Sequence, residues 1–264
     1  VPSPTAGVDD EWFDCYRQEG SEDAWSEILP ILAERPIAFL GLAAALASPL
    51  LSPLDAPGFS LEWYGSSSGG KTTSLRCAMS VYGSCRLEDI PSWDNTRFAI
   101  ESQAAVRGNL PMFLDETKQF QGSGEDFARI AYMLPSGKGR GRGNKDLGIR
   151  GTKSWRIVVL WTGEHTVRDM TTDSGIHPRV LAFQGLPFGG PDEASRDAVE
   201  RVERIITEHH GHAGRRFIQH LLKLDEEGWR TLRTEYGSSI RRLREIAPDG
   251  VPPNFLDRWA KAFA

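Results

Sequence analysis

The run Gly65-Ser66-Ser67-Ser68-Gly69-Gly70-Lys71-Thr72 constrains this chain more than any other feature. It fits G-x-x-x-x-G-K-[S/T] and lies between a predicted strand, Phe59–Tyr64, and a predicted helix, Thr72–Tyr82. In that setting loop glycines let backbone N–H groups wrap phosphates, and the helix turns its positive N-terminus toward the anion. Lys71 reaches the β- and γ-phosphates, the Thr72 hydroxyl can ligate Mg²⁺, and Gly65 to Thr73 form the expected nucleotide-binding set. A Ser/Gly-rich turn could match the pattern by chance, but the strand and helix around it argue against that.

The rest of the chain alternates predicted strands and helices. Trp25, Ile28, Leu29 and Leu32 recur on one helical face, and Pro36 separates them from a more buried helix, Ile37–Leu46. Further on come a short strand near Arg86–Ile90, a helix over Thr96–Val106, an apolar strand Leu110–Leu114 and an amphipathic helix Asp126–Leu134. Gly137–Asn144 alternates glycine with base and reads as a turn or mobile loop. Ile157–Trp161 and Val180–Phe183 are strands, and from Asp192 onward the pattern is helical. The sum is an α/β sheet domain with a helical appendage. Ile37–Leu54 is long and apolar, but Pro49 and Pro53 interrupt it, so a core helix is expected and no membrane span.

Leu110-Pro111-Met112-Phe113-Leu114-Asp115-Glu116 is the second chemical element. A buried strand ending in two acids, 44 residues after Lys71, puts Asp115 beside the metal. It puts Glu116 where it can act as general base on an attacking water. A kinase transferring to a bound hydroxyl does not need that second acid. Thr162, at the tip of the Ile157–Trp161 strand, is a candidate sensor of the γ-phosphate, though an ordinary cap residue fits there too. Arg179, in His177-Pro178-Arg179, is a candidate arginine finger, and a surface ion pair would suit it equally. His209, His210 and His212 lack partner acids or cysteines and read as a solvated loop, not a metal site.

The formal net charge is −5, so the chain is no basic coat for nucleic acid, yet the charge is uneven. Residues 1–27 carry eight acids and one arginine, whereas 138–156 carry seven bases and one acid. In the basic stretch, Lys138, Arg140, Arg142 and Lys145 are the candidate DNA contacts. Three cysteines without a C-x-x-C pair favour a reducing, cytoplasmic compartment. The start at Val1, without Met or a signal peptide, is expected of a piece of a longer protein.

The segments LEWYGSSSGGKTTSLRCAMSVYG, SWDNT, PMFLDE, YMLPSGKGRGR, VLWTGE, GIHPRVLAF and EHHGHAGRRFIQHL follow one another in this order. Together, over about residues 25–225, they resemble the bacterial, phage and mobile-element replication helicases grouped as domain of unknown function 927. That resemblance implies an AAA+ P-loop ATPase akin to the minichromosome maintenance helicases. It implies a homo-hexameric ring moving on single-stranded or forked DNA, with a primase or DNA-binding region elsewhere in a longer chain. Lys71 and Thr72 match the Walker A motif, and Asp115 and Glu116 the Walker B. Thr162 falls at the sensor-1 position, and Arg179 matches an arginine that acts in trans. The basic stretch falls where those helicases carry a hairpin before sensor 1. Arg215 and Arg216 are sensor-2 candidates by position alone. Gly69, where threonine is commoner, is a departure expected to leave the phosphate loop intact.

The expected organisation is therefore an acidic terminus at 1–24, an AAA+ core at 25–190 and a helical segment at 191–264. The expected function is an ATP-dependent DNA helicase motor. The first rival is a P-loop ATPase that remodels or switches proteins without DNA. The second is a small-molecule kinase, against which Glu116 and the basic stretch speak.

Overall fold

The computed structural model describes residues 15–66, 69–139, 142–143, 149–150, 152–171, 175–248 and 250–264. Six strands are described: β1 (Phe59–Tyr64), β2 (Met112–Leu114), β3 (Arg142–Gly143), β4 (Ile149–Arg150), β5 (Val158–Gly163) and β6 (Val180–Gln184). Helices α1 (Glu22–Ser26), α2 (Ile28–Ala33) and α3 (Pro36–Ala47) precede β1, and α4 (Lys71–Ser80) follows it. Then come α5 (Arg97–Arg107), α6 (Gly124–Ser136) and α7 (Val167–Met170). The chain closes with α8 (Glu193–Glu208), α9 (His212–Leu221), α10 (Glu226–Glu245) and α11 (Pro253–Phe263).

Four strands form one parallel sheet in the order β2-β5-β1-β6. Parallel strands need crossovers, and the intervening helices cover both faces. The pleat divides β5 accordingly. Val158 and Leu160 join the apolar layer formed with α2, α3 and α4, while Val159 and Trp161 join the layer formed with α5 and α6. Helix α3 opens on Pro36 at its first turn and buries Ala38, Gly41, Leu42, Ala44 and Ala45, so the apolar run is a core helix. Among the described residues no helix is long and apolar enough to cross a membrane.

Four expectations change. The single helix around Trp25–Leu32 is two short ones, α1 and α2, meeting at Glu27. A continuous helix would drive the Pro30 ring into the Ser26 carbonyl. The strand expected near Arg86–Ile90 is a 3₁₀ turn, Leu87–Asp89, and the backbone after it makes one isolated parallel bridge, Ser92 to Asp115. Pro91 between them has no N–H to give a ladder.

His209, His210 and His212 do not form a solvated loop. His210 is buried, at 2% exposure, with Nδ1 3.1 Å from the Ile206 carbonyl, and its backbone pairs with Glu19. His209 Nδ1 accepts from the Ser21 N–H at 3.2 Å, and His212 Nε2 lies 3.0 Å from the Glu19 carbonyl. The three rings clasp the segment that leads into α1.

Gly137–Asn144 is not wholly a loop, for it enters a hairpin. The pairs Lys138–Ser154, Arg142–Arg150 and Gly143–Ile149 are antiparallel and share one register immediately before β5.

Candidate nucleotide site

The site forms at the carboxyl ends of β1, β2 and β5. Strand β1 runs into the loop that begins at Gly65, and α4 starts at Lys71. Gly70 caps α4 with φ 75°, a left-handed conformation. A Cβ there would also lie 2.8 Å from Phe188 Cδ2. The Gly69 position is crowded as well, since a Cβ would come within 2.3 Å of Leu186 Cδ2 and 3.3 Å of Leu186 Cα. Glycine at 69 therefore suits a segment, residues 186–191, that lies against the loop.

Lys71 is nearly buried, at 8% exposure, and its Nζ donates to the carbonyls of Gly65 (2.9 Å) and Ser66 (2.7 Å). The ammonium is thus held over the loop by acceptors an incoming phosphate can replace. Ser67 and Ser68 lie outside the described residues. Thr72 Oγ1 stands 3.4 Å from each carboxylate oxygen of Asp115, although α4 and β2 are far apart in sequence. A hydroxyl and a carboxylate converging this way are hard oxygen donors of the kind Mg²⁺ takes, so the residues fit that ion. The Thr73 hydroxyl points elsewhere, donating to Glu203 Oε1 of α8 at 2.7 Å.

Thr162, at 2% exposure, ties the two acids together. Its hydroxyl donates to Asp115 Oδ1 and accepts from the Glu116 N–H at 3.1 Å. Glu116 itself has φ 55°, unusual for a residue with a side chain, and its carboxylate accepts from the Lys118 N–H at 3.2 Å. The neighbouring Glu164 pairs with Lys118 at 2.5 Å.

A cavity of about 530 Å³ joins these groups, lined by Gly69–Thr73, Glu116, Thr162 and a wall that sequence reading missed. Phe188–Pro191, from the segment before α8, and Arg196, Val199 and Glu200, from its first turns, form that wall. Its volume is that of an ordinary small-ligand site. Arg215 and Arg216 do not line it, and Arg216 pairs with Glu22 at 2.7 Å instead.

Arg179 stands elsewhere. It closes the turn before β6, at the amino-terminal end of the sheet, with its guanidinium 4.2 Å over the Tyr132 ring. Of the four candidate DNA contacts, Lys138 sits at the base of the hairpin and Arg142 lies in β3. Arg140 and Lys145 are outside the described residues.

A buried acid supports the site from behind. Glu62, in the middle of β1, is fully buried and accepts from Trp161 Nε1 (3.0 Å), Thr166 Oγ1 (2.6 Å) and the Val167 N–H (3.0 Å). Burial raises its pKa above the ordinary carboxylate range, against those hydrogen bonds. It fastens the turn after β5, and with it the end of the strand that carries Thr162. An alternating apolar strand offered no sign of this acid's partners.

Residues 6–154, more than half of the chain, match the family model described as "Domain of unknown function (DUF927)". The chain belongs to the DUF927 family. No curated protein matches this DUF927 chain. Among solved structures it resembles one described as "SCCmec type IV Cch - active helicase", with TM-score 0.72 and 19% identity, over 98% of this chain and 48% of that one. The likeness is one of fold, and the DUF927 chain spans about half the length of that protein. A JCV helicase structure matches at TM-score 0.33 and 12% identity, over 82% of this chain and 73% of that chain, too distant to carry an argument.

Proposed function

We propose that this chain is the ATPase motor of a replicative DNA helicase, of the kind carried by phages and mobile elements. One observation carries the reading. Lys71, Thr72, Glu116 and Thr162, drawn from three separate stretches of sequence, line one cavity at the carboxyl ends of adjacent parallel strands, and Asp115 is joined to it through the Thr72 and Thr162 hydroxyls. In this reading Lys71 leaves the loop carbonyls for the β- and γ-phosphates of ATP. Thr72 and Asp115 would hold Mg²⁺, which would neutralise phosphate charge. Glu116 accepts the proton of the water that attacks the γ-phosphate, and Thr162 holds Glu116 and Asp115 in register.

The position of Arg179 supports a composite site. Val180 pairs with Ser60, so Arg179 is level with the start of β1, whereas the phosphate loop follows Tyr64. Five residues of strand separate the two by roughly 17 Å. An arginine there can act on a nucleotide only if a neighbouring copy binds it, which favours a homo-oligomeric ring, in this reading a hexamer. The hairpin of β3 and β4, with its bases, is the proposed DNA-tracking element, inside an AAA+ core of residues 25–190 with helices from 191 to 264. The fold likeness to the active helicase Cch of SCCmec supports the same reading, in which the protein works in a reducing, cytoplasmic setting that would suit three free cysteines. A primase or DNA-binding region would lie elsewhere in a longer chain.

ATP binding and turnover test the core of this. Lys71→Ala should lose nucleotide binding or turnover. Glu116→Gln should bind ATP and stop hydrolysing it, and wild-type turnover by that variant would overturn the assignment. Turnover stimulated by DNA separates a helicase motor from a protein-remodelling ATPase.

A further inference from the structure

The ends of β2 and β5 meet residue by residue. The Thr162 hydroxyl accepts the Glu116 N–H at 3.1 Å, Gly163 faces Thr117, and Glu164 pairs with Lys118 at 2.5 Å. Gly163 leaves no room for a side chain, since a Cβ there would lie 2.3 Å from Thr117 Oγ1 and 3.2 Å from Thr117 Cγ2. That close approach lays the 3₁₀ turn Thr117–Gln119 against the end of β5 and brings Lys118 beside Glu164. The far end of the turn is tied by the Ser92 hydroxyl, which donates to the Gln119 side-chain carbonyl.

Glu116 caps the same turn. Its backbone is left-handed, at φ 55°, and its carboxylate accepts from the Lys118 N–H at 3.2 Å. The acid read as the general base is therefore bonded to the backbone of a residue whose own side chain is a cation. A lysine stem is long and flexible, so its ammonium can swing to either of two nearby carboxylates. In the structure it goes to Glu164. The hydrogen bond to Glu164 first, then the charges of Glu164 and Glu116, raise the Lys118 pKa against desolvation, so the ammonium also feels Glu116. Were it bonded to Glu116, it would engage that carboxylate's lone pairs and hold it away from an attacking water.

We propose that Glu164 is a positioning residue for hydrolysis, which takes the Lys118 ammonium and so leaves the Glu116 carboxylate free to accept the proton of the attacking water. The proposal rests on the reading of Glu116 as that base. It gives a role to an acid that does not itself line the nucleotide cavity. The Lys118–Glu164 pair is partly exposed, with side-chain exposures of 55% and 30%. Pairs of that kind add little to stability, so removing one partner should leave the fold intact. What matters is where the pair holds the cation.

The test compares wild type, Glu164→Gln, Lys118→Met and the double variant of the full chain, by steady-state ATPase assay and ATP titration. Methionine keeps the apolar stem of the lysine and removes the charge. Glu164→Gln should lose on the order of tenfold in kcat, a part of the roughly 10²–10⁴-fold that a general base supplies. Its KM and ATP affinity should stay near wild type, because Lys71, Thr72 and Asp115 are untouched. Lys118→Met alone should turn over ATP close to the wild-type rate. Adding Lys118→Met to Glu164→Gln should restore kcat to that same level, because no cation is left to capture the base. A purely structural loss at Glu164 would not be repaired by removing the other half of the pair. Wild-type kcat in Glu164→Gln would overturn the proposal, as would a loss that Lys118→Met fails to restore. Lys118→Met as slow as Glu164→Gln would overturn it too, for then the pair itself would be required. Glu116→Gln separates this from the reading beneath it. If that variant is inactive while Glu164→Gln is unimpaired, the role of Glu164 falls and the base assignment stands. If Glu116→Gln hydrolyses ATP like wild type, the base assignment falls and this proposal with it.

Discussion

Thr162→Val is the sharpest probe of the site, because it keeps the shape of the side chain and deletes only the hydroxyl. That hydroxyl makes two hydrogen bonds, one to the Asp115 carboxylate and one from the Glu116 N–H, and it is buried. A neutral hydrogen bond contributes about 0.5–1.5 kcal/mol and one to a charged group about 1.5–3, so the loss is roughly 2–4 kcal/mol. For a chain of 264 residues, that lowers Tm by about 4–8 °C at roughly 2 °C per kcal/mol. The catalytic effect should be larger than the stability effect. Glu116 sits at φ 55° and its N–H leans on Thr162, so without the hydroxyl the acid is free to leave that conformation. A general base displaced by about 1 Å costs on the order of 10²-fold in kcat. ATP affinity should change little, because the phosphate loop is untouched. Thr162→Ser, which keeps the hydroxyl, should remain within a few-fold of wild type. Steady-state ATPase assays, nucleotide titration and thermal melts of the three proteins decide it. If Thr162→Val keeps wild-type kcat while its melt shows the expected loss, the hydroxyl holds the fold and not the base, and its positioning role is refuted.

Two further outcomes follow from the structure. Because burial raises the pKa of Glu62, the folded state favours the neutral acid. Its contribution to stability is therefore full below the ordinary glutamate range and declines as pH rises through the raised value. Glu62→Gln, which keeps an acceptor for Trp161 and Val167, should flatten that decline in denaturant titrations across pH. Glu62→Ala strands three buried donors and should cost several kcal/mol at about 1–3 each. A Gln variant with the wild-type pH dependence would show that another group governs it. At the hairpin, replacing Arg140 and Arg142 with Ala should lower the slope of log K against log[salt] for DNA by about one to two units, with basal ATP turnover near wild type. An unchanged slope, with DNA stimulation intact, would move the DNA contact elsewhere.

Much of this site could be read along the chain because its chemistry is local. A glycine-rich turn between a strand and a helix, or two acids closing an apolar strand, is specified by neighbours in sequence, and Lys71, Thr72, Asp115 and Glu116 each belong to such a unit. The sheet itself was legible for the same reason, since β1, β2, β5 and β6 each stand out as a short run rich in apolar residues. What only the tertiary structure decided is which distant residues share a space. Thr162 reads along the chain only as a polar residue at a strand tip, and the register of β5 beside β2 is what gives its hydroxyl to Asp115 and Glu116. Residues 188–191 and Arg196 reach the cavity because α8 packs across α4, through Glu203 on Thr73 and Arg76. His210 is buried and His209 and His212 are half-buried because the segment before α1 lies against them. Phe255 meets His177 across 78 residues and so docks α11 on the turn before β6. Periodicity reports which face of an element is buried, but not which element buries it, and that partner sets where a polar side chain finds its hydrogen bond or its charge.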